Sequence, residues 1–98
     1  MDMYASIRRY SVEGSIQELA RRAEEGLVPI FQENPGFVAY YVVDGGDGYV
    51  ASISIFESHE AAHRSNEQAA AWVKKNASEL LHDEPQITSG EALVAVSG

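Results

Sequence analysis

The sequence predicts an α+β domain with the element order βαββαβ. Three observations carry this reading. The apolar runs "GFVAYYVV" and "YVASISIF" flank the short loop "DGGDG", whose Gly and Asp residues accept the positive φ of a hairpin turn. Two longer stretches, Ser15 to Glu33 and Ser58 to Leu81, repeat apolar residues at intervals of three and four, as helices do. A strand-like segment lies outside each of these blocks, at Met3 to Tyr10 and at Ile87 to Val96.

The elements follow in order. In the first strand Tyr4, Ser6, Arg8 and Tyr10 share one face, and Ala5, Ile7 and Arg9 the other. "VEGS" turns the chain. Ser15 and Glu18 then have the spacing of a capping box. Ile16, Leu19, Ala20, Ala23 and Leu27 line one face of the first helix. Pro29 lacks the N–H that would bond Glu25, so a kink or early end is expected there. "NPG" turns into the second strand, Gly36 to Val43; Asp44 to Gly48 is the hairpin loop; Tyr49 to Phe56 is the third strand. Ser58 caps the second helix, with Glu60 at the positive end of its dipole. "HDEPQ" ends that helix, and Gly90 marks a bulge in the last strand.

Length and composition exclude several functions. The chain of 98 residues suits a single domain spanning residues 1–98. A net charge of −8 repels phosphate backbones and anionic membrane surfaces, so neither nucleic acid nor membrane is an expected partner. The absence of cysteine excludes disulfides, thiolate nucleophiles and metal sites built on Cys. The N-terminus has no secretory pattern and no apolar run approaches the ~20 residues of a membrane span, so a cytoplasmic protein is expected.

The βαββαβ order implies a ferredoxin-like, four-stranded antiparallel sheet with both helices on one face. The other face is then bare. Yet Phe37, Ala39, Tyr41 and Val43 oppose Val38, Tyr40 and Val42, so the second strand is apolar on both sides. The third strand opposes Ala51, Ile53 and Ile55 to Val50, Ser52, Ser54 and Phe56. A monomer would expose a large apolar patch, which implies a homodimer packed through the open sheet face.

The element order, "PGF" at the start of the second strand, the two-sided hairpin and the second helix together resemble the antibiotic biosynthesis monooxygenase family, of the dimeric α+β barrel superfamily. More narrowly, "IRRY", "PGFVAYYVVDGGDG", "VASISIFES" and "SNEQAAAWVKKN" are similar to a group of small bacterial proteins of this type usually left without a function. The resemblance covers about Tyr4 to Val96. It implies a ligand cleft within each subunit, between helices and sheet. It also implies an oxygenase without metal or organic cofactor, acting on an electron-rich aromatic such as a phenol or quinol. The alternative is a non-enzymatic module that binds a small ligand or serves as a structural dimer. Haem-degrading relatives carry an Asn on the first strand, a Trp and a His. Ser6 stands where that Asn is expected, and His82 projects to the polar side or beyond the helix end, so haem degradation is not expected.

The second helix supplies the candidate site residues. At about 100° per residue, Ala62, Ala69, Val73, Ala77 and Leu80 form an apolar stripe. Asn66 and Asn76 fall inside it, with Ser65 and Trp72 on its flank. A buried amide must find partners. The two Asn can hydrogen-bond a ligand while Trp72 stacks on it; alternatively the amides tie down a loop, a strand edge or a water, and Trp72 is core. Ser52 and Ser54 leave room for a ligand or pack under the dimer partner. Tyr40 and Tyr41 point to opposite faces, so at most one reaches a given cleft. Arg8 and Arg9 likewise diverge; one can bind an acidic substrate or pair with an acidic residue. His63 is a candidate general base at the cleft edge. His59 and His63 have helical spacing for a shared metal, but no Glu lies between them in the zinc-protease position, and no metal is expected.

Overall fold

Strands β1 (Tyr4–Ser11), β2 (Phe37–Gly46), β3 (Tyr49–Phe56) and β4 (Gln86–Glu91) form one sheet in the order β2-β3-β1-β4. The computed structural model describes residues 2–98. All three neighbouring strand pairs are antiparallel. Helices α1 (Ile16–Gly26) and α2 (Val28–Gln32) lie between β1 and β2 in the chain, and α3 (His59–Asn76) between β3 and β4. α3 packs over β1 and β3, and α2 over β2. This is the α+β, ferredoxin-like arrangement that the element order implied.

The helix starts follow from their caps. Ser15 Oγ accepts the Glu18 N–H at 3.1 Å, and Ser58 Oγ accepts the Ala61 N–H at 3.1 Å. Glu18 does not complete a capping box. Its carboxylate instead holds Arg21 at 2.7 Å and Arg22 at 3.4 Å, and the Arg21 bond lowers its pKa to about 2.

The single first helix expected from the sequence is divided at Leu27. Pro29 sits in the first turn of α2, where a missing N–H leaves no bond unmade. Leu27 N–H still bonds Ala23 O at 2.9 Å and Phe31 N–H bonds Leu27 O at 3.1 Å, so helical bonding carries across the break. α3 also ends earlier than expected, at Asn76. The Asn76 side chain donates to the Trp72 carbonyl at 3.0 Å, competing with the helical pattern, and Ala77 leaves helical geometry with φ −143°. Leu80 and Leu81 are nevertheless buried in the turn that follows.

The sheet corrects four further expectations. β2 runs on to Gly46, so the turn shrinks to Asp47 and Gly48, with φ of 54° and 81°. A register shift between Phe37 and Ala39 breaks the alternation, so Phe37 packs with the core beside Tyr40 and Val42. β4 pairs with β1 through Gly90 without a shift, so Gly90 is no bulge. The strand stops at Glu91, which leaves Leu93, Val94 and Val96 exposed beyond it.

Both sheet faces are indeed apolar. Tyr10, Val50, Phe56 and Phe37 point under the helices. On the open face Ile7, Ile53 and Tyr41 stand in one cross-strand row, with Val43 close by. Tyr41 is 55% exposed and Val43 46%.

Candidate functional site: a buried arginine between helices and sheet

Strand alternation sends Ser6, Arg8 and Tyr10 inward and turns Ile7 and Arg9 outward. Arg8 is 1% exposed. Its Nη1 donates to Asn66 Oδ1 on α3 at 2.8 Å. Its Nη2 donates to Ser52 Oγ and Ser54 Oγ on β3, both at 3.1 Å. The guanidinium carbon lies 5.5 Å from the Phe31 ring centroid. The Nε atom is buried and has no hydrogen-bond partner. Among the described residues no carboxylate bonds to Arg8; the acidic partner considered for it is not there. A buried cation without a counter-charge costs several kcal/mol unless neutral groups or a ligand compensate it.

A polar layer surrounds this charge. The Tyr40 hydroxyl lies 2.8 Å from Ser52 Oγ. Ser54 Oγ lies 3.0 Å from Ser65 Oγ, which donates to Ala62 O at 2.6 Å. Ser6 Oγ donates to the same carbonyl at 3.1 Å and meets Ser89 Oγ at 2.8 Å. Burial holds the Tyr10 and Tyr40 phenols above their ordinary pKa, against the pull of Arg8. Burial likewise lowers Arg8, and the two tyrosines oppose that shift. Because Ser52 accepts from Arg8, its own proton is free for Tyr40 or for a ligand.

Tyr10, Tyr40 and Ser52 form the polar wall of a cavity whose other walls include Leu27, Val50 and Trp72. The cavity is small, about 20 Å³, room for one water molecule. The Trp72 indole divides it from an outer groove of about 480 Å³ that Gly26, Ile30 and Gln68 also line. Gly26 leaves the space the indole needs: a Cβ there would lie 2.7 Å from Trp72 Nε1. Gly26→Ala should therefore displace the indole and lose about 1–3 kcal/mol to overpacking, more than the ~0.8–1 kcal/mol gained in helix propensity. Tryptophan emission and a denaturation midpoint test this together. Unchanged emission with a raised midpoint would refute it.

The structure gathers Arg8, Tyr40, Ser52, Ser54 and Asn66 into one cluster and puts Trp72 at the cavity edge. Three candidates do not join them. Tyr41 faces the open side of the sheet, since adjacent strand residues point apart. Asn76 is exposed at the end of α3, bonded to its own helix. His63 lies on the outer side of α3, 3.2 Å from Glu67, so it is not at the cleft edge. His59 lies against Tyr4, and no group of three or more His, Cys, Asp or Glu among the described residues is placed to hold a metal. Sequence reasoning missed Tyr10, Ser65 and Phe31 as members of the cluster. Tyr10 was legible, because it shares the Arg8 face of β1.

No protein-family model matches the chain, and no curated protein does. Solved structures match it over almost its whole length. A monooxygenase from the gene ActVA-Orf6 of Streptomyces coelicolor, solved in complex with the ligand nanaomycin D, superposes with a TM-score of 0.74 at 20% identity, covering 99% of this chain and 93% of that one. The chain has the antibiotic biosynthesis monooxygenase fold. SnoaB, a cofactor-independent oxygenase from Streptomyces nogalater, shares that fold with a TM-score of 0.64 at 18% identity, covering 99% and 97%. So does the NE2512 protein of unknown function from Nitrosomonas europaea, with a TM-score of 0.78 at 24% identity, covering 100% and 96%. Among the described residues no helix is long and apolar enough to cross a membrane.

Proposed function

We propose that the protein is a cofactor-independent oxygenase acting on an electron-rich aromatic, a phenol or quinol. The observation that carries this reading is the polar wall that Tyr40 and Ser52 give an apolar cavity, backed by Arg8 through its bond to Ser52, in a fold shared with oxygenases. An ionised phenol can itself pass an electron to dioxygen. The protein then need only desolvate and align the pair. For a phenol oxidised to a quinone, one oxygen atom enters the ring and the other leaves as water. In this role Tyr40 and Ser52 orient the ring oxygen, Asn66 and Ser54 hold Arg8 in place, and Trp72 forms the apolar side. A ring needs roughly 150 Å³, the scale of a cavity that admits benzene. The Trp72 indole must therefore swing toward the outer groove to admit one. The second copy covers the open sheet face.

The small cavity favours a second reading, in which the helix–sheet space is closed and the protein is a structural dimer. Oxygen uptake decides between the two. Purified protein, treated with chelator and free of flavin, should consume dioxygen with hydroxylated naphthalenes, anthrones or hydroquinones, and heat-denatured protein should not. A bound ligand at about 100 times its dissociation constant should also add about 2.7 kcal/mol to folding stability. No uptake and no stabilisation across the panel would leave the structural dimer.

A further inference from the structure

The cavity wall holds no carboxylate and no imidazole among the described residues. Tyr10 and Tyr40, the titratable groups facing Arg8, both have their protons held more firmly than in water. The site thus lacks a group that would take a proton from a bound phenol at neutral pH. Behind its wall it has instead a fixed positive charge with only neutral partners: Arg8 Nη2 donates to the wall residue Ser52 at 3.1 Å, and Nη1 to Asn66. A neutral ligand would leave that charge uncompensated. An anion held at Ser52 would offset it across that one hydroxyl.

We propose that the ligand binds as an organic oxyanion, a phenolate or a carboxylate, seated against Ser52 and Tyr40 and neutralised by Arg8. The proposal rests on reading the cavity as a ligand site, and it does not depend on oxygenase chemistry. Ser52, already accepting from Arg8 Nη2 at 3.1 Å, donates its proton to the oxyanion. Tyr40 donates from the other side. Arg8 is then a positioning residue that sets the charge its ligand must carry.

The test uses nitrophenols of graded acidity, whose phenolate absorbs where the phenol does not. With the intact protein, binding should strengthen as pH rises through the ionisation of each nitrophenol and then level off. The turning point should follow the ligand across the series, and the bound spectrum should be that of the phenolate. Asn66→Asp supplies a built-in counter-ion to Nη1 at the 2.8 Å contact. It should raise the melting temperature and weaken nitrophenolate binding by about tenfold or more. Arg8→Met should lose the pH dependence as well as the affinity, and Asn66→Asp decides the matter if that variant fails to fold. Benzoates run in parallel identify the source: stronger binding than the nitrophenolates assigns a carboxylate, weaker binding a phenolate, and either supports an anion. Equal binding of neutral phenol and phenolate, or unchanged affinity in Asn66→Asp, overturns the proposal. Phenolate binding without oxygen uptake from any phenol would instead remove the oxygenase reading and leave this one standing.

Discussion

Replacing Phe31 by alanine is expected to cost about 3–5 kcal/mol of folding stability, the range for a buried aromatic emptied to a methyl group. Phe31 has no exposed surface. Its ring meets Tyr40 edge-on with centroids 5.1 Å apart and Phe56 at 6.1 Å, and it carries the Arg8 guanidinium at 5.5 Å. Each aromatic pair adds about 0.5–1.5 kcal/mol to simple burial, and a cation over a ring face adds about 2 kcal/mol where water is excluded. A domain of this size has about 5–15 kcal/mol in all, so Phe31→Ala should remove a large share of it. Phe31→Leu separates the contributions: it keeps most of the volume and loses the ring contacts, so it should cost clearly less. Denaturant titration of the three proteins measures both steps. A loss below about 2 kcal/mol for the alanine variant would mean that α2 collapses onto the sheet and refills the gap.

The contrast between Phe31 and Arg8 shows which features were legible in the sequence. Periodicity specified the element order, because two-residue and 3.6-residue repeats are local properties. It also put Ser52 and Ser54 on one face of β3 and Asn66 on the inner face of α3, where the structure has them. Phe31 continues the i+4 series of Leu19, Ala23 and Leu27, all buried, and was passed over only because Pro29 was expected to kink or end the helix before it. Phe37 was assigned to the wrong face because one residue of bulge reverses strand alternation. Arg8 was harder still. Alternation allowed it to point inward, but burial of an arginine without a carboxylate is normally too costly to expect. Small hydroxyl groups from two strands and a helix make it feasible here, Ser6, Ser52, Ser54 and Ser65, all buried. They leave room for the guanidinium, and Ser52 and Ser54 accept its N–H groups; this depends on register between segments far apart in the chain.

Replacing Ile53 by glutamate is expected to turn a dimer into a monomer. Ile53 lies at the centre of the open face, between Ile7 on β1 and Tyr41 on β2. Arg9 stacks on Tyr49 at 3.9 Å and gives that face a charged margin around its apolar middle. A two-fold axis through such a patch buries it against its own copy, and a stable interface of this kind removes about 1,600 Å² from water. On a two-fold axis a carboxylate at its centre would meet its own copy's carboxylate in an apolar surround. An unpaired buried charge costs several kcal/mol, and each 1.4 kcal/mol weakens association about tenfold. In the lone subunit the same side chain faces water, so the fold should persist. Light scattering should give twice the 10.7 kDa chain mass for the native sequence and 10.7 kDa for Ile53→Glu, with matching circular dichroism. A native protein that already runs as a monomer at micromolar concentration would show that the open face is not covered by a second copy. A variant that stays dimeric would put the contact elsewhere, with the exposed Leu93, Val94 and Val96 beyond β4 as the next surface to mutate.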